Sequence, residues 1–305
     1  MKKFLLYILF VLLGVGVIDI LFSFGIEKML RTWNTLTIST THYASPDIAI
    51  FGASRAHHHY NPHIIGDSLN CSVYVYAKDG MNIYYHYTML CALLEHAEQK
   101  PGVVIFEMSE IDVDDTPGHN TEILHFLYPY YYNELAAKHV VSDLLDREEL
   151  FLVRISGLYR SNSKLLSYAK SAFRKKLDPN YGYAPLYNVW AEPIEEHEEY
   201  KEHVDRKKME YVNKVIEICK NNNIKLVLVN SPNFAIIHAN KWENEIRDLA
   251  QRSEIEFLNY GQDSTFMQHN EWFQDWDHLN TVGADIYSRI ITEDIKRCVE
   301  KVTCD

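Results

Sequence analysis

Asp47-Ile48-Ala49-Ile50-Phe51-Gly52-Ala53-Ser54-Arg55 is the stretch that decides how this chain folds. Its apolar run shows no polar alternation, which predicts a strand covered on both faces, as in a parallel sheet. Gly52-Ala53-Ser54 then reads as the turn that leaves the strand. In open α/β sheets, ligands bind beyond the carboxyl ends of the strands. Ser54 is therefore a candidate nucleophile; its other reading is an N-cap for the next helix. Further β-forming runs lie at 72–77, 103–108, 224–229 and 255–258, separated by helical patterns at 82–98, 202–222 and 242–253. Strands alternating with helices predict a five-stranded parallel sheet covered on both faces.

A second stretch, Asp275-Trp276-Asp277-His278-Leu279-Asn280, lies near the end of the chain. It follows an aromatic, polar loop at 266–273. It precedes an amphipathic helix marked by Ala284, Ile286, Tyr287, Ile290, Ile291 and Ile295. A hydroxyl is a weak nucleophile until an imidazole takes its proton, and a carboxylate then fixes the imidazole tautomer. Ser54, His278 and Asp275 supply those three groups. Alternatively, Asp275 and Asp277 cap the helix and His278 is a surface residue.

In this order, the two stretches resemble the SGNH/GDSL hydrolase superfamily, and in particular its membrane-anchored branches that act in surface-polysaccharide O-acetylation and D-alanyl transfer. Phe51-Gly52-Ala53-Ser54 matches the first block of that family and Asp275 to His278 its last. The resemblance implies a three-layer, flavodoxin-like fold with Ser54, Asp275 and His278 as catalytic residues. It also implies an oxyanion site made of the Ser54 and Gly80 N–H groups, with Asn82. The family's third block, Gly-x-Asn-Asp, is absent; Val103-Val104-Ile105-Phe106-Glu107-Met108-Ser109-Glu110 stands there. Either Ser109 or Asn82 replaces the missing donor, or the oxyanion site is incomplete. Arg55 is expected either to contact substrate or to form a salt bridge.

At the N-terminus, Met1-Lys2-Lys3 precedes an apolar run from Phe4 to Phe24 whose only charge is Asp19. About 20 such residues suffice to cross a bilayer as a helix. No cleavage site stands out, so the reading is an uncleaved signal anchor at 1–25 with a neck at 26–44. The flanking charge is nearly balanced, but the very short tail before the span favours a domain outside the cytoplasm, periplasmic or at the cell surface. The α/β domain then occupies 45–300, interrupted by a helical insertion at about 116–200. That insertion is read either as a lid or as a buttress.

The remaining features carry less. A net charge of −12 in 305 residues argues against a nucleic-acid partner. His57-His58-His59 reads as a polar loop beside the nucleophile rather than a metal site, because consecutive side chains face apart. Asp112, Asp114 and Asp115 read as a solvated acidic loop. The five cysteines, odd in number and scattered, form neither a disulfide framework nor a zinc site; Cys298 and Cys304 are a candidate pair outside the cytoplasm, and most of the others read as small buried residues. No cofactor is expected.

These readings converge on a serine ester hydrolase or O-acyltransferase that takes an acylated glycan or another ester, with a membrane-bound acyl-donor enzyme as a possible partner. The alternative is a non-catalytic relative that binds a glycan or scaffolds envelope assembly, and the departure at the third block is its support.

Overall fold

The structure is a computed structural model. It describes residues 1–32, 38–42, 44–116, 119–161, 178–193, 195–197, 203–237 and 241–303. The chain divides into two compact units. One joins residues 1–40 to 120–176; the other joins 41–119 to 177–305.

The second unit is built on a parallel sheet of β1 (Ile48–Gly52), β2 (Val73–Ala77), β3 (Val103–Glu107), β5 (Lys225–Asn230) and β7 (Glu256–Asn259). The spatial order is β2-β1-β3-β5-β7, and every pairing is parallel. Counting only these five strands, the order is 2-1-3-4-5, the flavodoxin-like winding expected. β1 and β3 are buried along their whole length, which is why neither alternates in sequence. A short parallel pair, β4 (Glu195–His197) with β6 (Ala235–Ile237), was not anticipated.

Two layers of helix cover the sheet. On one face Ile48, Ile50, Val103, Ile105, Val227 and Val229 pack with α3 (Pro62–Leu69) and α11 (Thr281–Thr303). α11 presents Ala284, Tyr287, Ile291 and Ile295, a helical spacing of three and four. Facing the other side, α4 (Ile83–His96) and α9 (Arg206–Asn221) pack on each other. Phe51 stacks there between Tyr76 and Phe106, with ring centroids 5.3 and 6.3 Å apart. Asn82 caps α4 and Asp205 caps α9 through their side-chain oxygens, so both helices start on residues suited to that role. α10 (Lys241–Ser253) packs beside β7.

Three expectations change here. The triple-histidine segment is not a loop but α2 (Ser54–His59), with His58 and His59 buried. Of the acidic loop after β3, only Asp115 is solvated. Asp112 and Asp114 are buried, because Ser109 donates to Asp112 and the buried Lys208 of α9 reaches Asp114 at 2.5 Å. Residues 178–193 leave the insertion early and bind to the sheet unit. Tyr181 O accepts from Val75 N, Ala184 N donates to His57 O, and Trp190 N donates to Phe273 O.

The other unit contains α1 (Lys2–Thr32), which runs past the expected end at residue 25. It also holds most of α5 (His119–Leu127), and α6 (Leu135–Leu144), α7 (Arg147–Ile155) and α8 (Gly157–Ser161). One stretch of α1, Lys2–Ile26, is long and apolar enough to cross a membrane. Residues 33–37 and 43 of the expected neck, 117–118, 162–177, 194 and 198–200 of the insertion, and Cys304 lie outside the described residues.

Gly52 is where the sheet tolerates no side chain. Its φ is +157°, and a Cβ would fall 2.7 Å from Ala56 Cβ and 2.8 Å from Glu107 Cβ. β1 therefore turns into α2 while pressed against β3. Gly52→Ala is expected to destabilise the protein by about 1–3 kcal/mol through overpacking. Urea unfolding of the two proteins side by side checks this, and equal midpoints would contradict it.

Candidate active site

Ser54 is the first residue of α2, and Ala53 occupies the cap position. Its hydroxyl therefore makes no capping bond and meets His278 instead, at 2.7 Å from Nε2. The two residues are 224 positions apart in the chain.

The loop that carries His278 folds around Asp275. Asp275 Oδ1 accepts from the Asp277 and His278 backbone N–H groups, both at 2.9 Å. The same carboxylate faces His278 Nδ1 at 2.9 and 3.0 Å. This explains why the spacing is three residues: one carboxylate shapes its own turn and orients the ring at the end of it. Antiparallel bridging of Phe273 with Leu279 closes the loop, and Gln274 N donates to His278 O. Asn280, not Asp275 or Asp277, caps α11, accepting from Val282 N and Gly283 N. Its amide nitrogen ties back to the carbonyls of Asn188, Glu271 and Phe273.

Beneath the site lies a buried polar network. Glu107, at the end of β3, accepts from Ser231 N at 3.0 Å, Ser231 Oγ at 2.7 Å and Tyr60 OH. Ser231 Oγ in turn accepts from His59 Nδ1 at 2.8 Å, and His59 Nε2 accepts from Leu279 N at 3.0 Å. His59 is thus fixed in one tautomer. Burial, together with the neighbouring His278, Arg55 and His58, holds it well below the usual histidine range, so it stays neutral. A continuous set of bonds runs from β3 through α2 to the residue after His278.

Arg55 belongs to this network and also lines the cavity beside Ser54. Its guanidinium donates to Met108 O at 2.7 Å and Ser231 O at 3.3 Å, and lies 3.3 Å from Glu107. With 4% of its surface exposed, it meets the salt-bridge alternative. The physical reason is position: residue i+1 to the nucleophile on a short helix points back under the sheet end.

A cavity of about 200 Å³ opens beside Ser54. Gly80, Ser109, Asn233, Trp242, Trp276 and Asp277 help line it, and all its lining residues belong to the sheet unit. Gly80 is exposed on the cavity with φ +71°. Of the two candidate replacement donors, Ser109 lines the cavity and Asn82 does not border it. Asn82 is fully buried, and its side-chain oxygen accepts from Tyr84 N. Ser109 gives both its N–H and its hydroxyl to Asp112 Oδ2. The amide that does line the cavity is Asn233, from the loop after β5, and its buried Oδ1 has no intramolecular partner. A buried acceptor left unpaired beside a cavity is a group that calls for a partner. The sequence signal was the run Asn230-Ser231-Pro232-Asn233 at a strand end, but nothing in it marked which asparagine faces inward.

His57 and His58 share one partner. His57 Nδ1 lies 2.7 Å and His58 Nε2 3.4 Å from Asp79 Oδ1. They reach one atom from adjacent positions by using different ring nitrogens. Their ligand atoms lie within 4.8 Å of one another, and two imidazoles with a carboxylate have the donor chemistry of a transition-metal site. The three groups also satisfy one another, and as such they clamp the turn that presents Gly80.

No family model matches the chain, and no curated protein resembles it in sequence. Among solved structures, similarity is found to a Bacteroides fragilis protein provisionally described as an acylhydrolase. The two are 13% identical, with 85% of this chain and 92% of that one covered, at a TM-score of 0.43. Similarity at that level assigns neither family nor activity.

Burial alone would lower the His278 pKa, but the hydrogen bond to Asp275 and the charges of Asp277 and Asp275 outweigh it and raise it above the usual 6.5. A base must be neutral to accept a proton. Any reaction through His278 should therefore fail as pH falls through a midpoint above 6.5. Asp277→Asn removes one of the charges holding that proton and should move the acid limb to lower pH. A pH–rate profile of both proteins checks the sign; an upward shift in the variant would contradict it.

Proposed function

We propose that this chain is a membrane-anchored serine ester hydrolase or O-acyltransferase of the SGNH type, acting outside the cytoplasm on an acylated glycan. The observation that carries the chemistry is the line Ser54 Oγ–His278 Nε2, His278 Nδ1–Asp275, with both ends at hydrogen-bond distance. It lies at the carboxyl end of the central strands, where α/β folds bind ligands.

In this reading Ser54 Oγ attacks the ester carbonyl as His278 Nε2 takes its proton. Asp275 keeps the Nδ1 proton in place and stabilises the imidazolium. The Ser54 and Gly80 N–H groups receive the oxyanion, and Asn233 contributes the side-chain amide that the third strand lacks. Collapse of the tetrahedral intermediate breaks the C–O bond, and His278 returns the proton to the leaving alcohol. Water or a sugar hydroxyl then attacks the acyl-Ser54 ester by the same steps in reverse. Trp242 and Trp276 on the cavity wall suit the apolar face of a sugar ring. The anchor rests on the apolar stretch Lys2–Ile26, whose surface is almost wholly exposed.

A fluorophosphonate probe tests the chemistry directly. The wild-type protein should label at Ser54, with labelling lost in Ser54→Ala and in His278→Ala. Asn233→Ala should keep the fold and lower kcat on a soluble aryl ester by about 10²–10³, the usual cost of one oxyanion donor. A well-folded wild-type protein that does not label would favour the non-catalytic, glycan-binding alternative. Unchanged kcat in Asn233→Ala would remove that residue from the oxyanion site.

A further inference from the structure

Asp19, the single charge in the apolar N-terminal run, has a specific partner. Its Oδ1 accepts from Ser156 Oγ at 2.8 Å and Leu158 N at 2.9 Å, and its Oδ2 from Gly157 N at 2.9 Å. These groups form the elbow between α7 and α8. Gly157 is required at the crossing, since a Cβ there would lie 1.6 Å from Ser23 Oγ. Among the described side chains of α1, at 2–26, the partly buried positions are Gly16, Asp19, Phe22, Ser23 and Ile26. That spacing of three and four is one helical stripe. The other faces of the span stay exposed, with Ile18, Ile20, Leu21 and Phe24 all above 60%.

The depth of this contact follows from helix geometry. Asp19 precedes Phe24 by five residues, so it sits about 7–8 Å inside the end of the apolar run. Whatever is bonded to Asp19 shares that depth. Ile155 immediately precedes Ser156, and α7 carries Phe151, Leu152 and Ile155 at 59%, 42% and 59% exposure. In water that patch has no purpose. In hydrocarbon it is an ordinary surface, provided that every nearby backbone polar group is satisfied without water. Several polar groups at the elbow are satisfied in this way. Besides the three bonds to Asp19, Tyr159 N donates to Ser156 Oγ, Ser156 N donates to Leu152 O, and Arg160 Nη1 donates to Val153 O at 2.6 Å.

We infer that the C-terminal half of α7 and its elbow with α8 dip into the same lipid leaflet as the end of the anchor, held there by Asp19. The occupant of the Phe151–Leu152–Ile155 face is lipid acyl chain. The inference rests on the anchor reading above and gives the insertion a role as a membrane-embedded collar.

Photolysis of the full chain in phosphatidylcholine vesicles carrying a diazirine on the lipid acyl chain, followed by peptide mapping, tests it. Lipid adducts are expected within 4–24 and also on Phe151, Leu152 or Ile155. In Asp19→Leu the adducts within 4–24 should persist while those on α7 fall several-fold. Adducts confined to 4–24 in the wild type would overturn the inference and leave the anchor standing; that result is expected if a protein partner covers α7 instead. Adducts in neither segment would overturn both.

Discussion

One buried carboxylate governs the geometry of the sheet end. Glu107 lies at the end of β3 with 1% of its surface exposed, and a charge in that position persists only if it is paired and hydrogen-bonded. Its partners come from three directions. Arg55 and Tyr60 come from the segment after β1, and Ser231 comes from the loop after β5. Through Ser231 and His59 the same set of bonds reaches Leu279, next to His278. Breaking such a network by removing one partner is costly, because the rest is left buried and unpaired. The distance between Ser54 and His278 is thus set from below, by groups that touch neither.

The third strand thus ends on a residue, Glu107, that both borders the cavity and bonds the loop after β5. Glu107 supports the floor, and the amide that lines the cavity is Asn233, one strand further along. Function at such a sheet end depends on where groups point, and neighbouring loops can exchange those tasks. The clamp of His57 and His58 on Asp79 follows the same logic on the opposite rim, steadying a glycine turn with an exposed carboxylate.

Much of the fold was legible because its signals are local. Unbroken apolar runs such as Ile48 to Phe51 can only be buried on both faces, and two such runs joined by a helix imply a parallel pair. Asp275 and His278 were legible for a similar reason, since the carboxylate folds its own three-residue turn. The rest depended on distant partners. Arg55 looked available because nothing nearby in sequence shows Met108 O and Ser231 O waiting for it. Asp112 and Asp114 looked solvated because Lys208, almost a hundred residues later, is what buries them. His59 gave no sign that it would differ from His57, as its role lies in contacts with Ser231 and Leu279. Asp19 was visible as an oddity in the apolar run, but only the folded chain shows its partners at the elbow around Gly157.

Ser54 and His278 stand 224 positions apart, and nothing local in the chain joins them. Their pairing depends on the seating of α11, whose Tyr287 and Ile291 share one core with Ile48 and Ile50 of β1. If α11 loosens from the sheet, the loop at 273–280 loses its support and the hydroxyl parts from the imidazole, even with every strand still paired. The bond between the two side chains is therefore a report on the docking of that helix.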